Sequence, residues 1–367
     1  MATLGFSDLR ETSLPSLWDA TTLTQFRLQD GRTLDQMAAD VQSGLQMVNS
    51  SLLSMPHYSG MFAVQDDPDV EYPIGVSNGF QVGGEYTSPD PGRGETTGHM
   101  LPLINYDRGL GWTARYLRKA RSTKLDADVR SVVIDARNLW QQKLLQRFFK
   151  MEGETVGSTS NASVPLADGG TVDSNYVPLD SPEGESFAST HDHFLRLNGI
   201  TQANLNTAIE TIQEHGHMSP FELIVSRVDI GSWTNTTNIT GYKHPSYQSE
   251  ILRDGADRAN IMDNSMYVGY VETDYGICRI WATPRVPTGY WGLFKAYGSG
   301  DPRNPLRVRF DTTFGFGYNI VPGTYVNAPS HLLVASTEFG VGIGEDRTNG
   351  VCVENDTSGD YATPTIS

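Results

Sequence analysis

Asp126–Glu152 reads DADVRSVVIDARNLWQQKLLQRFFKME, and its spacing predicts a single helix. Val129, Val132, Val133, Ala136, Leu139, Trp140, Leu144 and Phe148 recur three or four apart, which lays them along one face. Asp126 is expected to cap the first free amides, and Asp128 adds negative charge at that end. Arg147 and Lys150 fall where the helix dipole is negative, and Gly153 is the expected stop. At a rise of 1.5 Å per residue the rod would run roughly 40 Å, about the width of a small domain. The rest of the chain, mostly strands and loops, is expected to pack on this rod or extend from it.

Upstream, residues 1–32 show no period and read as an extended arm. Thr33 with Gln36 forms a capping box for a helix carrying Leu34, Met37, Ala38, Val41, Leu45, Val48 and Leu52 on one face. From Ser54 to Met100 the chain turns polar, with Asp66, Asp67, Asp69 and Glu71 clustered. Tyr72, Ile74 and Val76 then alternate up to Asn78-Gly79, and Phe80 and Val82 follow, the signature of a hairpin closed by a type I′ turn. So little apolar content cannot bury a loop of this length within its own domain, so it should project and need a partner surface. A short helical piece with Leu110, Trp112 and Tyr116 is expected before the long helix.

Downstream, residues 153–186 read as a flexible loop or a second, smaller hairpin. A helix is expected from Thr201, with Leu205, Ala208, Ile209 and Ile212 inward and Gly216 at its end. Phe221, Leu223 and Val225 alternate as in a strand. Tyr267–Trp281 reads as two strands meeting at Asp274-Tyr275-Gly276, and the aromatic run Tyr290, Trp291 and Phe294 suits packing in a sheet or at a subunit contact. Leu306–Phe310 and Phe314–Ile320 are strand-like, and Glu338–Ile343 is expected to pair with Val351–Glu354 across Asn349-Gly350. The class is α+β.

The chain has 367 residues and a net charge of −16, which argues against wrapping of DNA or RNA, since phosphates must be neutralised by lysine and arginine. The charge is uneven: residues 1–105 hold 13 acidic against 4 basic residues, and residues 106–152 hold 5 against 11. A solvated face or complementary surfaces on neighbouring subunits would each produce this asymmetry. The two cysteines, Cys278 and Cys352, exclude a disulfide scaffold and a four-cysteine zinc site, and read as buried small side chains. The opening MATLGFSDLRETSL has no signal-peptide pattern, and no run approaches the ~18 apolar residues of a membrane span, so use in a cytosol is expected.

The best metal-ligand candidates are His191, His193, His215 and His217, two His-x-His steps flanking one helix. Two histidines two apart share a face only in a strand, and polar helix termini are the reading that this placement favours. A metal-dependent hydrolase using these pairs is the alternative of a different class. There is no G-x-S-x-G elbow and neither cysteine has an activating histidine, so no catalytic residues, metal or cofactor are assigned. Gly340, Gly342 and Gly344 alternate in a strand without opening a helix, which suits close backbone approach rather than a phosphate cradle.

In order and layout, the chain resembles the tailed-bacteriophage major capsid proteins of the HK-ninety-seven fold. The residues that carry the resemblance are the arm and helix of 1–54, the acidic hairpin of 55–100, Leu101-Pro102 leading to a spine helix at 126–152 ended by Gly153, and Asn198-Gly199-Ile200-Thr201 through Pro220–Ser226. The passage from Gly269 to Gly276 and on from Ile280 to Pro287 is similar to that family's exit from its axial domain. The resemblance implies an N-arm and first helix (1–54), an extended loop (55–100), a peripheral domain (101–186), an axial domain (187–285) and return strands with a C-terminal tail (286–367). It also implies a structural, non-enzymatic protein that self-assembles into pentamers and hexamers of an icosahedral shell around double-stranded DNA, which is enclosed without sequence-specific binding. Assembly in the host cytoplasm, no membrane, and separate scaffolding, portal and decoration proteins are the corresponding expectations. An encapsulin-type nanocompartment is the alternative within the same fold. Contacts between subunits are expected to set Asp66, Asp67, Asp69 and Glu71 against Arg115, Arg118, Arg121 and Arg130.

Some capsids of this family join an extended-loop lysine to a neighbouring asparagine, which needs a desolvated, neutral amine. This chain has no lysine before Lys119, and arginine stays protonated. Particles boiled in detergent should therefore run as one band at the monomer mass of 40.3 kDa. A ladder of heavier species surviving reducing agent would show a covalent lock.

Overall fold

The long helix forms over Ser122–Phe148 in a computed structural model of the chain. The structure describes residues 31, 34–52, 60–74, 95–113, 119, 121–156, 162–244, 266–313, 315–323, 330–357 and 359–366. The expected arm, the Asn78-Gly79 turn and Thr33 lie outside these. Among the described residues, no helix is long and apolar enough to cross a membrane.

In chain order the elements are α1 (Leu34–Leu52), β1 (Phe62–Gln65), β2 (Asp69–Ile74), β3 (Glu95–Met100), β4 (Ile104–Thr113), α2 (Ser122–Phe148), β5 (Glu154–Thr155), β6 (Ala162–Ser163), β7 (Phe194–Arg196), α3 (Gln202–Gln213) and β8 (Phe221–Ser226). There follow α4 (Ile230–Trp233), β9 (Tyr242–Lys243), β10 (Met266–Thr273), β11 (Gly276–Thr283), β12 (Tyr290–Phe294), β13 (Leu306–Phe310), β14 (Asn319–Gly323), β15 (Ser330–Ile343) and β16 (Val351–Glu354). They form two units, one drawing on segments within 1–53, 104–141 and 310–339 and the other on 54–103, 142–309 and 340–367.

In the first unit, β15 pairs antiparallel with β4, from Ser330↔Thr113 to Phe339↔Ile104, and with β14. Leu110 and Trp112, expected in a short helical piece with Tyr116, thus lie in the strand of residues 104–113, while Tyr116 lies outside the described residues. The strand's apolar residues are few, and ladder bonds to a segment more than 200 residues away decide the conformation. Val132, Ala136 and Trp140 of α2 are buried as the stripe requires, with Trp140 edge-on to Phe339 at 4.3 Å. Tyr318 donates its hydroxyl to the Ala136 carbonyl at 2.6 Å, and Asn49 of α1 bonds the Tyr318 backbone in both directions.

The helix begins at Ser122, so Asp126 lies inside it rather than at its start, and it ends at Phe148 rather than at Gly153. The stop comes from packing. Phe148 and Phe149 are fully buried, and the buried Arg147 donates to the Glu152 and Val164 carbonyls, drawing the chain into an irregular path.

The second unit holds a seven-stranded sheet in the order β7-β16-β12-β8-β11-β10-β9. Helix α3 covers it as expected: Thr201 accepts from the Asn204 amide, Leu205, Ala208, Ile209 and Ile212 are buried, and Gly216 closes the end at φ +86°. β10 and β11 form the expected hairpin, with Thr273↔Gly276 as the last pair. β8 is buried on both faces rather than alternately, because it lies between parallel β11 and antiparallel β12. Its Glu222 is held by Arg279 and by the Trp281 indole at 2.6 Å. Val351–Glu354 does not pair with Glu338–Ile343. It joins β12 on one side and β7 on the other, because this sheet offers it two partners. Glu154–Thr155 pairs antiparallel with Ala162–Ser163, and Cys278 and Cys352 are both buried in strands.

β2 pairs with β3 from Asp69↔Met100 to Ile74↔Glu95, and Val76, Phe80 and Val82 of the expected hairpin lie outside the described residues. Val70 and Tyr72 pack on Leu101, Ala167 and Tyr176. Beneath them lies the fully buried Arg347. Its Nε donates to the Pro165 carbonyl at 2.9 Å, Nη1 to Asp173 at 2.8 Å and to the Tyr72 hydroxyl at 3.3 Å, and Nη2 to the Leu166 carbonyl at 3.3 Å. The Tyr176 ring lies 3.9 Å from the guanidinium carbon.

A Cβ on Gly340 would sit 1.8 Å from the Pro102 carbonyl oxygen, and one on Gly342 would sit 2.3 Å from Leu101, which is the close approach expected of these glycines. Gly340→Ala should lower unfolding stability by about 1–3 kcal/mol in a denaturant titration, since backbone must move. His99, 5% exposed, donates through Nε2 to the Ile343 carbonyl at 3.0 Å. Burial holds its pKa down at about 3, so the unfolded chain takes up a proton near pH 6.5 that the folded chain refuses. Its contribution to stability is therefore intact above pH 6.5 and falls as pH drops from 6.5 towards 3, by at most about 1.4 kcal/mol per pH unit. His99→Gln, which keeps a donor for Ile343, should flatten the fall in melting temperature across that window.

Candidate functional site

Asp66 and Asp67 occupy the turn between β1 and β2, and Asp69 and Glu71 the outer face of β2; all four are exposed. Alternation accounts for this, since Val70 and Tyr72 point to the core and leave the acids outward. The turn is ordered by its own side chains: Asp67 Oδ1 accepts from the Asp69 amide at 3.0 Å, and Gln65 donates to the Asp67 carbonyl at 2.8 Å. None of the four has an ion-pair partner among the described residues. Arg121, just ahead of α2, and Arg130 on it are exposed, while Arg115 and Arg118 lie outside the described residues. The acidic strand belongs to the second unit and the two arginines to the first.

The structure brings together three of the four histidines. His191 and His193 lie not at a helix start but in extended chain running into β7, with Asp192 bridged to Asp168, so the two-residue period puts both on one face. His215 follows the α3 C-cap, Glu214. The three Nε2 atoms are 3.1 Å (191 to 193), 3.2 Å (193 to 215) and 2.8 Å (215 to 191) apart. His193 is fully buried, and its Nδ1 donates to the Gly350 carbonyl at 2.7 Å. Phe187 lies against the rings of His191 and His215, at 4.8 and 4.3 Å. Glu214 Oε1 is 3.3 Å from His191 Nε2, and burial next to Glu185 and Glu210 raises its pKa to about 7.

His217 stands apart, with Nε2 3.1 Å from Asp346 and Nδ1 2.8 Å from the Tyr297 hydroxyl. Sequence spacing offered these residues as candidates, yet the partition into three and one depends on the turn at Gly216. Arg347 had no signal at all, since an arginine between Asp346 and Thr348 looks like a surface residue.

No protein-family model and no curated protein matches the chain. A solved structure from Mycobacterium phage Patience aligns with it at a TM-score of 0.62 and 19% identity, over 92% of each chain. The mature capsid of bacteriophage PhiM1 aligns at 0.44 and 11% identity over 80% of this chain and 85% of its own. A virus-like particle from Pyrococcus furiosus aligns at 0.40 and 12% identity over 86% and 98%. Only the first of these scores is high enough to carry weight, and it bears on the fold. The protein shares the fold of this phage structure, an α+β architecture of the HK-ninety-seven type with one long helix and a seven-stranded sheet.

Proposed function

We propose that this chain is the major shell-forming subunit of a tailed-phage virion, a structural protein rather than an enzyme. The observation that carries the reading is the alignment with the Mycobacterium phage Patience structure over 92% of both chains, which supports one shared fold along nearly the whole of each. On this reading, residues 1–54 are the N-arm with its first helix, 55–100 the extended loop, 101–186 the peripheral domain, 187–285 the axial domain, and 286–367 the return strands and tail. Copies assemble into pentamers and hexamers of an icosahedral shell in the host cytoplasm. Double-stranded DNA is enclosed without base-specific contacts, and scaffolding, portal and decoration proteins are separate chains.

The exposed acids Asp66, Asp67, Asp69 and Glu71 dock on a neighbour's basic surface, in which Arg115, Arg118, Arg121 and Arg130 take part. Exposed pairs of this kind contribute about 0–1 kcal/mol each, yet they repeat in every copy and set register. Apolar side chains left in solvent, such as Val228 at 76% and Met218 at 54% exposure, add contact area at other edges.

Electron microscopy of the purified full chain should show closed shells, eluting at the void of a sizing column. A small soluble oligomer at all concentrations and salt conditions would overturn the reading, and a shell loaded with a protein cargo and no DNA during infection would mark a nanocompartment instead. Arg130→Glu combined with Arg121→Glu should slow assembly severalfold and make it more salt-dependent, read by light scattering. Unchanged assembly would make the charge asymmetry a solvated face.

A further inference from the structure

We infer that His191, His193 and His215 form a binding site for one divalent transition metal of the zinc class, which clamps the end of α3 to the chain entering β7. This goes beyond the shell reading and does not depend on it.

The three Nε2 atoms form a nearly equilateral triangle with sides of 3.1, 3.2 and 2.8 Å. One face of a tetrahedron around zinc, with metal–nitrogen bonds of 2.0–2.1 Å, has edges of about 3.3 Å. A point at that bond length from all three nitrogens lies about 1 Å out of their plane. The ligand atoms of the group all fall within 4.8 Å of one another, and no other such cluster of histidine, cysteine or carboxylate groups occurs among the described residues.

The hydrogen bonding favours metal over a web of imidazoles. His193 Nδ1 faces the Gly350 carbonyl at 2.7 Å, so in the neutral ring the proton is on Nδ1 and Nε2 presents a bare lone pair to the cluster. Metal-bound histidines are held this way, with the second nitrogen donating to a carbonyl that fixes the tautomer. Three neutral imidazoles cannot satisfy all three close nitrogen pairs, because each Nε2 carries either one proton or one lone pair. A cation at the centre accepts all three lone pairs at once. Neutral nitrogens without hard oxygen donors suit zinc, cobalt, nickel or copper and not magnesium or calcium.

The surroundings supply the remaining requirements. Phe187 shields the rings on one side. Glu214 Oε1, 3.3 Å from His191, is outside the close triad but placed to accept from a water in the fourth coordination position.

The clamp would act at one edge of the seven-stranded sheet. β7 is an edge strand that pairs with β16 over three residues only. The segment 167–169 hangs on the same chain, through His193 N to Ala167 O at 2.9 Å and Gly169 N to His191 O at 3.1 Å. Fixing His191 and His193 to His215 therefore braces both the sheet edge and the loop that carries Asp168 and Asp173, the carboxylates beside Arg347.

The test uses the full-length protein, stripped with a chelator, reloaded with zinc chloride, dialysed, and assayed for metal by mass spectrometry. The expected result is about one zinc per chain and a melting temperature roughly 5 °C or more above the stripped form. His191→Ala and His215→Ala should each bring zinc to background, and His217→Ala should leave it near one. Folded His191→Ala or His215→Ala that retains full zinc would overturn the assignment, as would background zinc in the unmodified chain. Because an alanine here could also unfold the protein, cobalt chloride on the unmodified chain decides independently. Intense visible bands of tetrahedral cobalt that zinc chloride abolishes support the site, and their absence overturns it. Particle assembly is read separately, so loss of the metal and loss of the shell reading remain distinguishable.

Discussion

A guanidinium group that keeps its charge and is wholly removed from water must have every donor occupied, and in the second unit that constraint falls on Arg347. Its partners come from three places: Tyr72 on β2, the carbonyls of Pro165 and Leu166, and Asp173 further along the same loop. Removing any one would leave a buried donor without a partner, which costs more than the bond itself is worth. The hairpin and the loop of 164–176 are thereby joined to the turn between β15 and β16, although neither segment has the apolar content to hold itself. Arg147 and Arg307 follow it in part, since Nε of Arg147 and Nη1 of Arg307 are buried without an acceptor. Each is buried, and each gathers backbone carbonyls from irregular chain, Arg147 at Glu152 and Val164 and Arg307 at Pro302.

This arrangement explains how a chain with generous loops and only 38% hydrophobic residues keeps well-defined surfaces. Apolar burial is concentrated in the seven-stranded sheet under α3, where Trp233 and Trp291 meet edge-on at 5.2 Å and the strands are covered on both faces. Outside that core, order comes from buried polar groups whose geometry admits few alternatives. The hairpin is thus presented from a rigid base while its outer face remains free for acidic residues.

The histidine triad belongs to the same economy of fixing. Its three residues bring the end of one helix against the chain entering an edge strand whose ladder is three residues long. A metal in that position would do for the sheet edge what Arg347 does for the hairpin. The two sites are connected, because Ala167 bonds both the Arg347 carbonyl and the His193 amide.

Local periodicity was enough to read α2, α3 with its Thr201 cap, the β10–β11 hairpin, the burial of both cysteines and the close approach at Gly340 and Gly342. Each of these is decided by residues within a few positions of one another, where the 3.6 and 2.0 repeats and turn chemistry act. The charge asymmetry was equally visible in the sequence alone. What only tertiary structure decided was partnership: that 104–113 is a strand because β15 pairs with it, that β2 takes 95–100, and that β16 lies between β7 and β12. Hydrogen bonds between backbones far apart in sequence carry no side-chain signature at either partner, so no pattern announces them. The buried arginines, and the division of the four candidate histidines into three and one, are illegible for the same reason. Their character comes from carbonyls and rings that the fold brings from 17 to more than 250 positions away.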